Sequence, residues 1–195
     1  MRDEKVGVFA RVMTALVYVF LMAPLVVIIF ASFSPASLVT FPPKGFSLEW
    51  YANIFGASTN FVTGFVNSIK VAVIATAADI LLGVTAALSV SRYSFKGRAA
   101  LVTFFTSPMY VPSIAFAFVL LNVFSQIGGI SSFMKILLGH VVIVLPYIVR
   151  NTLSMLSSFD WTLEDAAAGL GAPPLTAFMR VTLPLIRPGV LAGAL

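Results

Sequence analysis

Val12–Ser32 reads VMTALVYVFLMAPLVVIIFAS, a run with no charged residue. About 20 consecutive, mostly apolar residues cross the hydrocarbon core of a bilayer as a helix. Arg2, Lys5 and Arg11 precede the run, as in a secretory signal. The apolar region of a signal peptide is only about 7–15 residues long, so this one is expected to be a retained span. Pro24 lies inside it, and a membrane helix tolerates that where neighbours satisfy the freed carbonyl. The whole composition agrees: of 195 residues 59% are hydrophobic and 10% charged, with a mean hydropathy of +1.03. Soluble domains carry roughly a quarter charged residues, so an all-α integral membrane protein is expected and a soluble enzyme is excluded.

Further apolar runs predict spans over about 66–91, 99–124 and 132–156, beside the first at 12–33, within one membrane domain over 1–195. Residues 188–195 have the pattern of a fifth span that is cut short. The positive charges set the orientation. Arg2, Lys5 and Arg11, then Arg92, Lys96 and Arg98, then Arg150, Arg180 and Arg187 fall in three segments that alternate onto one face. The other face holds Lys44, Lys70 and Lys135. Positively charged loops stay in the cytoplasm, which puts the N-terminus there and the 34–65 loop outside. The formal charge of +5 is thereby a matter of topology and not of nucleic-acid binding. In the outer loop, FPPKGFSLEWY (Phe41–Tyr51) contains the turn formers Pro42, Pro43 and Gly45. Ser47 is placed to cap a short helix from about Leu48, and Trp50 and Tyr51 suit a membrane interface.

The segment 159–187 is different in kind: FDWTLEDAAAGLGAPPLTAFMRVTLPLIR is too polar at its start to span. Asp160 or Thr162 can cap a helix, Thr162 with Asp165 has capping-box spacing, and Glu164 and Asp165 sit where a helix dipole favours negative charge. Ala166, Ala167 and Ala168 propagate the helix, Gly171 is a natural left-handed stop, and Pro173 or Pro174 can open a second short helix. Leu175, Phe178, Met179, Thr182 and Leu183 then recur as an apolar stripe. The product is a helix–glycine–helix element with a small, flat alanine surface, suited to docking rather than catalysis.

This stretch resembles the cytoplasmic coupling loop of permease subunits in ABC-type importers. Their pattern is Glu-Ala-Ala, three residues, Gly, nine residues, a branched apolar residue, any residue, Leu and Pro. Asp165, Ala166, Ala167, Gly171, Val181, Leu183 and Pro184 fall on it without a gap, with Asp165 in place of Glu and Glu164 just before. Asn67-Ser68, RYSFKGR (Arg92–Arg98) and LPYIVRNTL (Leu145–Leu153) resemble the same family, and FPPKGFSLEWY resembles its spermidine/putrescine branch. The resemblance implies a type I importer bundle in a bacterial inner membrane, although six spans are usual there. It also implies a second permease subunit, a dimer of ABC ATPase subunits docked on Glu164, Asp165 and their neighbours, and an external solute-binding protein. The implied cargo is a polyamine or a related small solute.

Three polar residues inside the spans are candidates for the substrate path or for buried polar contacts. Asp79 lies in mid-span, where a charge is costly and tends to be functional or paired. It shares a face with Ala75, Gly83 and Ala87, which marks close helix packing, so it is expected to point into the bundle and bond a neighbouring helix. Asn122 and His140 are likewise expected to make bonds between helices. An alternative function, a proton-coupled secondary transporter or channel with Asp79 and His140 as a relay, leaves the 165–184 pattern unexplained. With no cysteine and one histidine, neither a metal site nor a cofactor is expected. The chain has no nucleophile–base pair and no G-x-x-x-x-G-K-[ST] phosphate loop, so it is no enzyme and any ATP is hydrolysed by a partner.

Overall fold

The computed structural model describes residues 7–195 except 37, 39, 41, 44, 57 and 58, so Arg2, Lys5, Phe41 and Lys44 lie outside the described residues. Every regular element among the described residues is a helix. Contacts group the chain into two compact units, Met1–Val66 and Asn67–Leu195.

The first unit holds α1 (Val8–Ser32) and α2 (Glu49–Gly56). None of the side chains of α1 is buried, and Pro24 sits within it. The chain between the two helices folds on aromatic rings. Phe33 stacks on Phe46 at 5.2 Å and on Tyr51 at 5.5 Å. The indole Nε1 of Trp50 donates to the Ser34 carbonyl at 3.0 Å, and the Tyr51 and Ser32 hydroxyls lie 2.7 Å apart. Ser47 caps α2 as expected, its Oγ accepting the Glu49 N–H at 3.1 Å.

The second unit is built on three apolar helices. α3 (Thr59–Arg92) ends in this unit, α6 (Ser132–Ser157) crosses it, and the chain from α8 (Pro174–Ala177) through a π-helical turn (Phe178–Thr182) to α9 (Leu183–Ala194) forms the third. With α1, these are the four described helices long and apolar enough to cross a membrane. Val84 and Ala87 of α3, Ile148 and Leu156 of α6, and Ile186 and Val190 of α9 form one buried cluster. A second cluster joins Val71 and Ala75 to Leu137.

Glycines set how closely these helices approach. A Cβ on Gly83 would lie 2.8 Å from Ile148 Cγ2, and one on Gly193 would lie 2.7 Å from the Ile148 Cα. A Cβ on Gly189 would overlap Met155 Cγ and lie 2.8 Å from the Asn151 carbonyl. Gly189 and Gly193 are four apart, the spacing that lets two membrane helices meet backbone to backbone.

Two expected spans take other forms. The 99–124 stretch is no single helix: α4 (Arg98–Thr106) and a 3₁₀ turn (Ser107–Tyr110) are bent by 103° from α5 (Ser113–Gln126), and the two halves together are long and apolar enough to count as one further, broken span. The cause is Pro112, which has no N–H to donate and pushes Val111 into extended geometry, φ −90° and ψ 132°. The last long helix begins at Pro174 instead of 188, so the short second helix expected after Gly171 runs on through the 188–195 segment. Pro184 has no N–H for the carbonyl four residues back, and the π-helical turn lies just before it, widening the helix where the ring would clash.

Gly193→Ala should destabilise the α6–α9 contact by about 1–3 kcal/mol, the usual range for overpacking a tight site. Thermal unfolding in detergent reads this as a lowered Tm. Gly128→Ala, with nothing within 4 Å of the added carbon, should leave Tm unchanged.

Candidate functional site: a short exposed helix and its internal anchor

α7 (Thr162–Gly169) follows α6 after a four-residue link. Its start is fixed by Asp160, whose Oδ1 accepts the Thr162 backbone N–H at 3.0 Å and the Thr162 hydroxyl at 2.7 Å. These two bonds, the hydroxyl's first, hold the Asp160 carboxyl below its ordinary pKa. Asp160, one residue before the N-cap Trp161, therefore fixes the turn into α7, and Thr162 is its donor. The expected Thr162–Asp165 capping box does not form: Thr162 lies inside the helix, and the Asp165 N–H bonds the Trp161 carbonyl at 3.2 Å. At the other end Gly171 has φ +84°, its N–H bonds the Ala168 carbonyl at 2.9 Å, and the Ala172 N–H bonds the Ala167 carbonyl at 3.1 Å. That pair of bonds around a left-handed glycine is a Schellman stop.

The two adjacent acids of α7 have opposite environments. Asp165 is exposed, as are Ala166 and Gly171, while Ala167 is half-buried. Glu164 is 4% exposed and points inward. Its Oε1 accepts from Arg92 Nη1 at 2.8 Å, at the end of α3. Its Oε2 accepts the Thr182 hydroxyl at 3.1 Å, from the π-helical turn ahead of α9. The Arg92 guanidinium also lies 5.5 Å from the Trp161 ring centroid, and Trp161 meets Phe159 edge-on at 4.8 Å. The expectation that Glu164 and Asp165 face outward together is corrected for Glu164. Consecutive helical residues point about 100° apart, so two adjacent acids can have opposite environments.

The rest of the 165–184 pattern divides in the same way. Leu183 packs on the main cluster, Val181 is half-buried and Pro184 is exposed. The expected apolar stripe splits too: Thr182 is fully buried, while Leu175 and Met179 face outward. Leu163 and Leu170, in and just after α7, are exposed apolar residues as well. Leu170, at 91% exposed, is among the most open of the large apolar residues.

The three in-span polar residues do not come together. Asp79 is fully buried, and neither carboxyl oxygen has a hydrogen-bond partner among the described residues. The expected bond to a neighbouring helix is absent. Asn122 and His140 also bond within their own helices: Asn122 Oδ1 accepts from Gln126 Nε2 at 2.7 Å, and His140 Nδ1 lies 2.8 Å from the Ile136 carbonyl. His140 does border two cavities, about 430 Å³ against α5 and about 440 Å³ against the end of α9. A third, about 210 Å³, lies at the α4–α5 bend beside Pro108, Met109 and Tyr147. Asp79 takes no part in the walls of these three. The inward glutamate, its arginine and the paired glycines of α9 are the features missed from sequence. Gly189-x-x-x-Gly193 was readable as a packing signal.

A family model for the "binding-protein-dependent transport system inner membrane component" matches residues 79–195. The chain is 32% identical over 177 residues to the spermidine/putrescine transport system permease protein PotC of Haemophilus influenzae, covering 91% of this chain and 68% of that one. It is 29% identical over 183 residues to the putrescine transport system permease protein PotI of Escherichia coli, covering 90% and 64%. It is also 29% identical over 187 residues to the trehalose transport system permease protein SugB of Mycobacterium tuberculosis, covering 94% and 68%.

Asp79→Asn keeps the shape of the buried side chain and cannot ionise. With no ion-pair partner to lose, it should unfold at neutral pH no more than about 0.5 kcal/mol less stably than the parent. A clear fall of Tm in detergent would reveal a cationic partner for Asp79.

Proposed function

The chain belongs to the inner-membrane components of binding-protein-dependent transport systems, a multi-pass family of ABC importer permeases, and from that premise we propose that α7 is its docking helix for a separate ATPase. The observation that carries this reading is the form of α7. It is stopped at both ends by its own bonds and anchored from inside by Glu164, while Asp165 and Ala166 are exposed, as are Leu163, Leu170, Leu175 and Met179 of the same segment. Small residues beside a single charge admit close approach of a partner groove. The exposed leucines and methionine give that partner apolar area to bury.

In this reading the N-terminus and α7 share the cytoplasmic side, as the positive charges require. A second permease subunit completes the substrate path, and a solute-binding protein delivers cargo on the outer side. An ATPase dimer that closes on ATP pulls α7, and the spans rock as rigid bodies between inward- and outward-facing states. The phosphate chemistry belongs to the ATPase, since this chain has no phosphate-binding loop. Polyamine cargo is supported by the names of the PotC and PotI relatives and by the FPPKGFSLEWY loop. The comparable identity to a trehalose permease means that the shared scaffold does not choose the cargo.

Asp165→Lys should lower co-purification of the ATPase by about tenfold, the effect of reversing one charge in a close contact. Membrane insertion should be unchanged. In vesicles holding the whole complex, uptake of labelled putrescine should follow internal ATP and survive collapse of the proton gradient. Unchanged co-purification would overturn the docking role, and uptake that follows the gradient would restore the proton-coupled alternative.

A further inference from the structure

Glu164 is not needed to start α7, because Asp160 already fixes the turn into it. Nor does it face water, at 4% exposed. Each of its oxygens instead bonds a different helical segment: Arg92 closes α3, and Thr182 closes the π-helical turn that leads into α9. Burying a carboxylate is costly, and a buried ion pair is often no more stabilising than well-packed apolar residues would be. Here the bonds reach across 72 and 18 residues of sequence and converge on one side chain. Arg92 is held a second time by the Trp161 ring, in the link between α6 and α7. The consequence is mechanical. α7 is linked by short stretches of chain to α6 before it and to the Pro174–Ala194 helix after it, and through Glu164 it is bonded besides to the end of α3 and to the π-helical turn of that later helix.

We propose that Arg92, Glu164 and Thr182 form a positioning clamp that makes α7, the end of α3 and the start of α9 move as one body, so that a pull on α7 reaches both long helices together. This inference rests on the reading of α7 as the ATPase-docking helix. Glu164 and Thr182 are buried, and the half-exposed Arg92 is turned to Glu164 and the Trp161 ring, whereas Asp165 is exposed. Loss of the clamp therefore leaves the ATPase bound and uncouples it from the spans.

The test uses the whole transporter in vesicles, with its ATPase, second permease and binding protein, and reads labelled putrescine taken up per ATP hydrolysed. Glu164→Gln removes the ion pair at constant shape, and Thr182→Val removes one hydroxyl at nearly constant volume. Both variants should co-purify the ATPase normally and keep its hydrolysis, while uptake per ATP falls about fivefold or more, the scale of ordinary coupling between sites. The maximal uptake rate should fall with the KM for putrescine unchanged. Arg92→Glu alone should show the same loss, and combining it with Glu164→Arg should recover at least roughly half of the parent ratio if the pair acts as a unit. Should Glu164→Gln insert poorly, Thr182→Val and the charge exchange still decide. Uptake per ATP within about twofold of the parent in the single variants, or no recovery in the exchanged pair, overturns the clamp. A parent complex in which the ATPase does not drive uptake overturns the docking reading, and the clamp with it.

Discussion

Ile148 is the point at which the larger unit is held together. It is fully buried in α6, with Gly83 of α3 against its side chain and Gly193 of α9 against its backbone. A bilayer gives apolar helices little reason to leave lipid for one another, so close packing has to supply what the hydrophobic effect supplies in water. Two glycines on different helices give one residue a close fit on two sides, Gly83 against its side chain and Gly193 against its backbone. The clusters above and below, from Val71 to Ile186, extend that contact along α3, α6 and α9.

Charge is the second constraint. Only a tenth of the residues are charged, and the structure uses some of them twice. Arg92 is one of the nine basic residues from which the orientation is read, and it is also the partner of Glu164. Glu164 and Asp165 are neighbours in sequence, but one ties α7 to the helices behind it and the other is offered to the outside. Asp79 has no such partner among the described residues and lies four residues before Gly83, the glycine that admits Ile148.

Much of this was legible in the sequence. Hydropathy located α1, α3 and α6, because the length of an apolar run is fixed by the thickness of the bilayer. The Ser47 cap, the Gly171 stop and the exposed Asp165 follow from local rules, and the structure has them. What was not legible depends on direction in space. A window of hydropathy averages over Pro108 and Pro112 and so reports one span where the chain turns by 103°. The same averaging could not tell that the helix after Pro174 continues to Ala194. Adjacent acids look alike on the page, and only the position of Arg92, 72 residues away, decides which one turns inward. Asn122 and His140 were expected to reach across helices, and each instead found a partner one turn away on its own.

The bend between α4 and α5 has a consequence for where water goes. Val111 is extended, and Pro108 and Pro112 have no N–H to offer, so the Phe104 and Pro108 carbonyls lose their usual helical donors and accept instead from the Ser107 hydroxyl at 2.9 Å and the Val111 N–H at 3.3 Å. Lipid tails cannot replace those donors, so irregular backbone at membrane depth persists only against protein or beside water. The cavity at that point, about 210 Å³, is bordered by Pro108, Val111, Ser113 and Tyr147. It has room for several waters at roughly 30 Å³ each. The prolines that break the helix thus also leave, beside the bend, a space that water can enter.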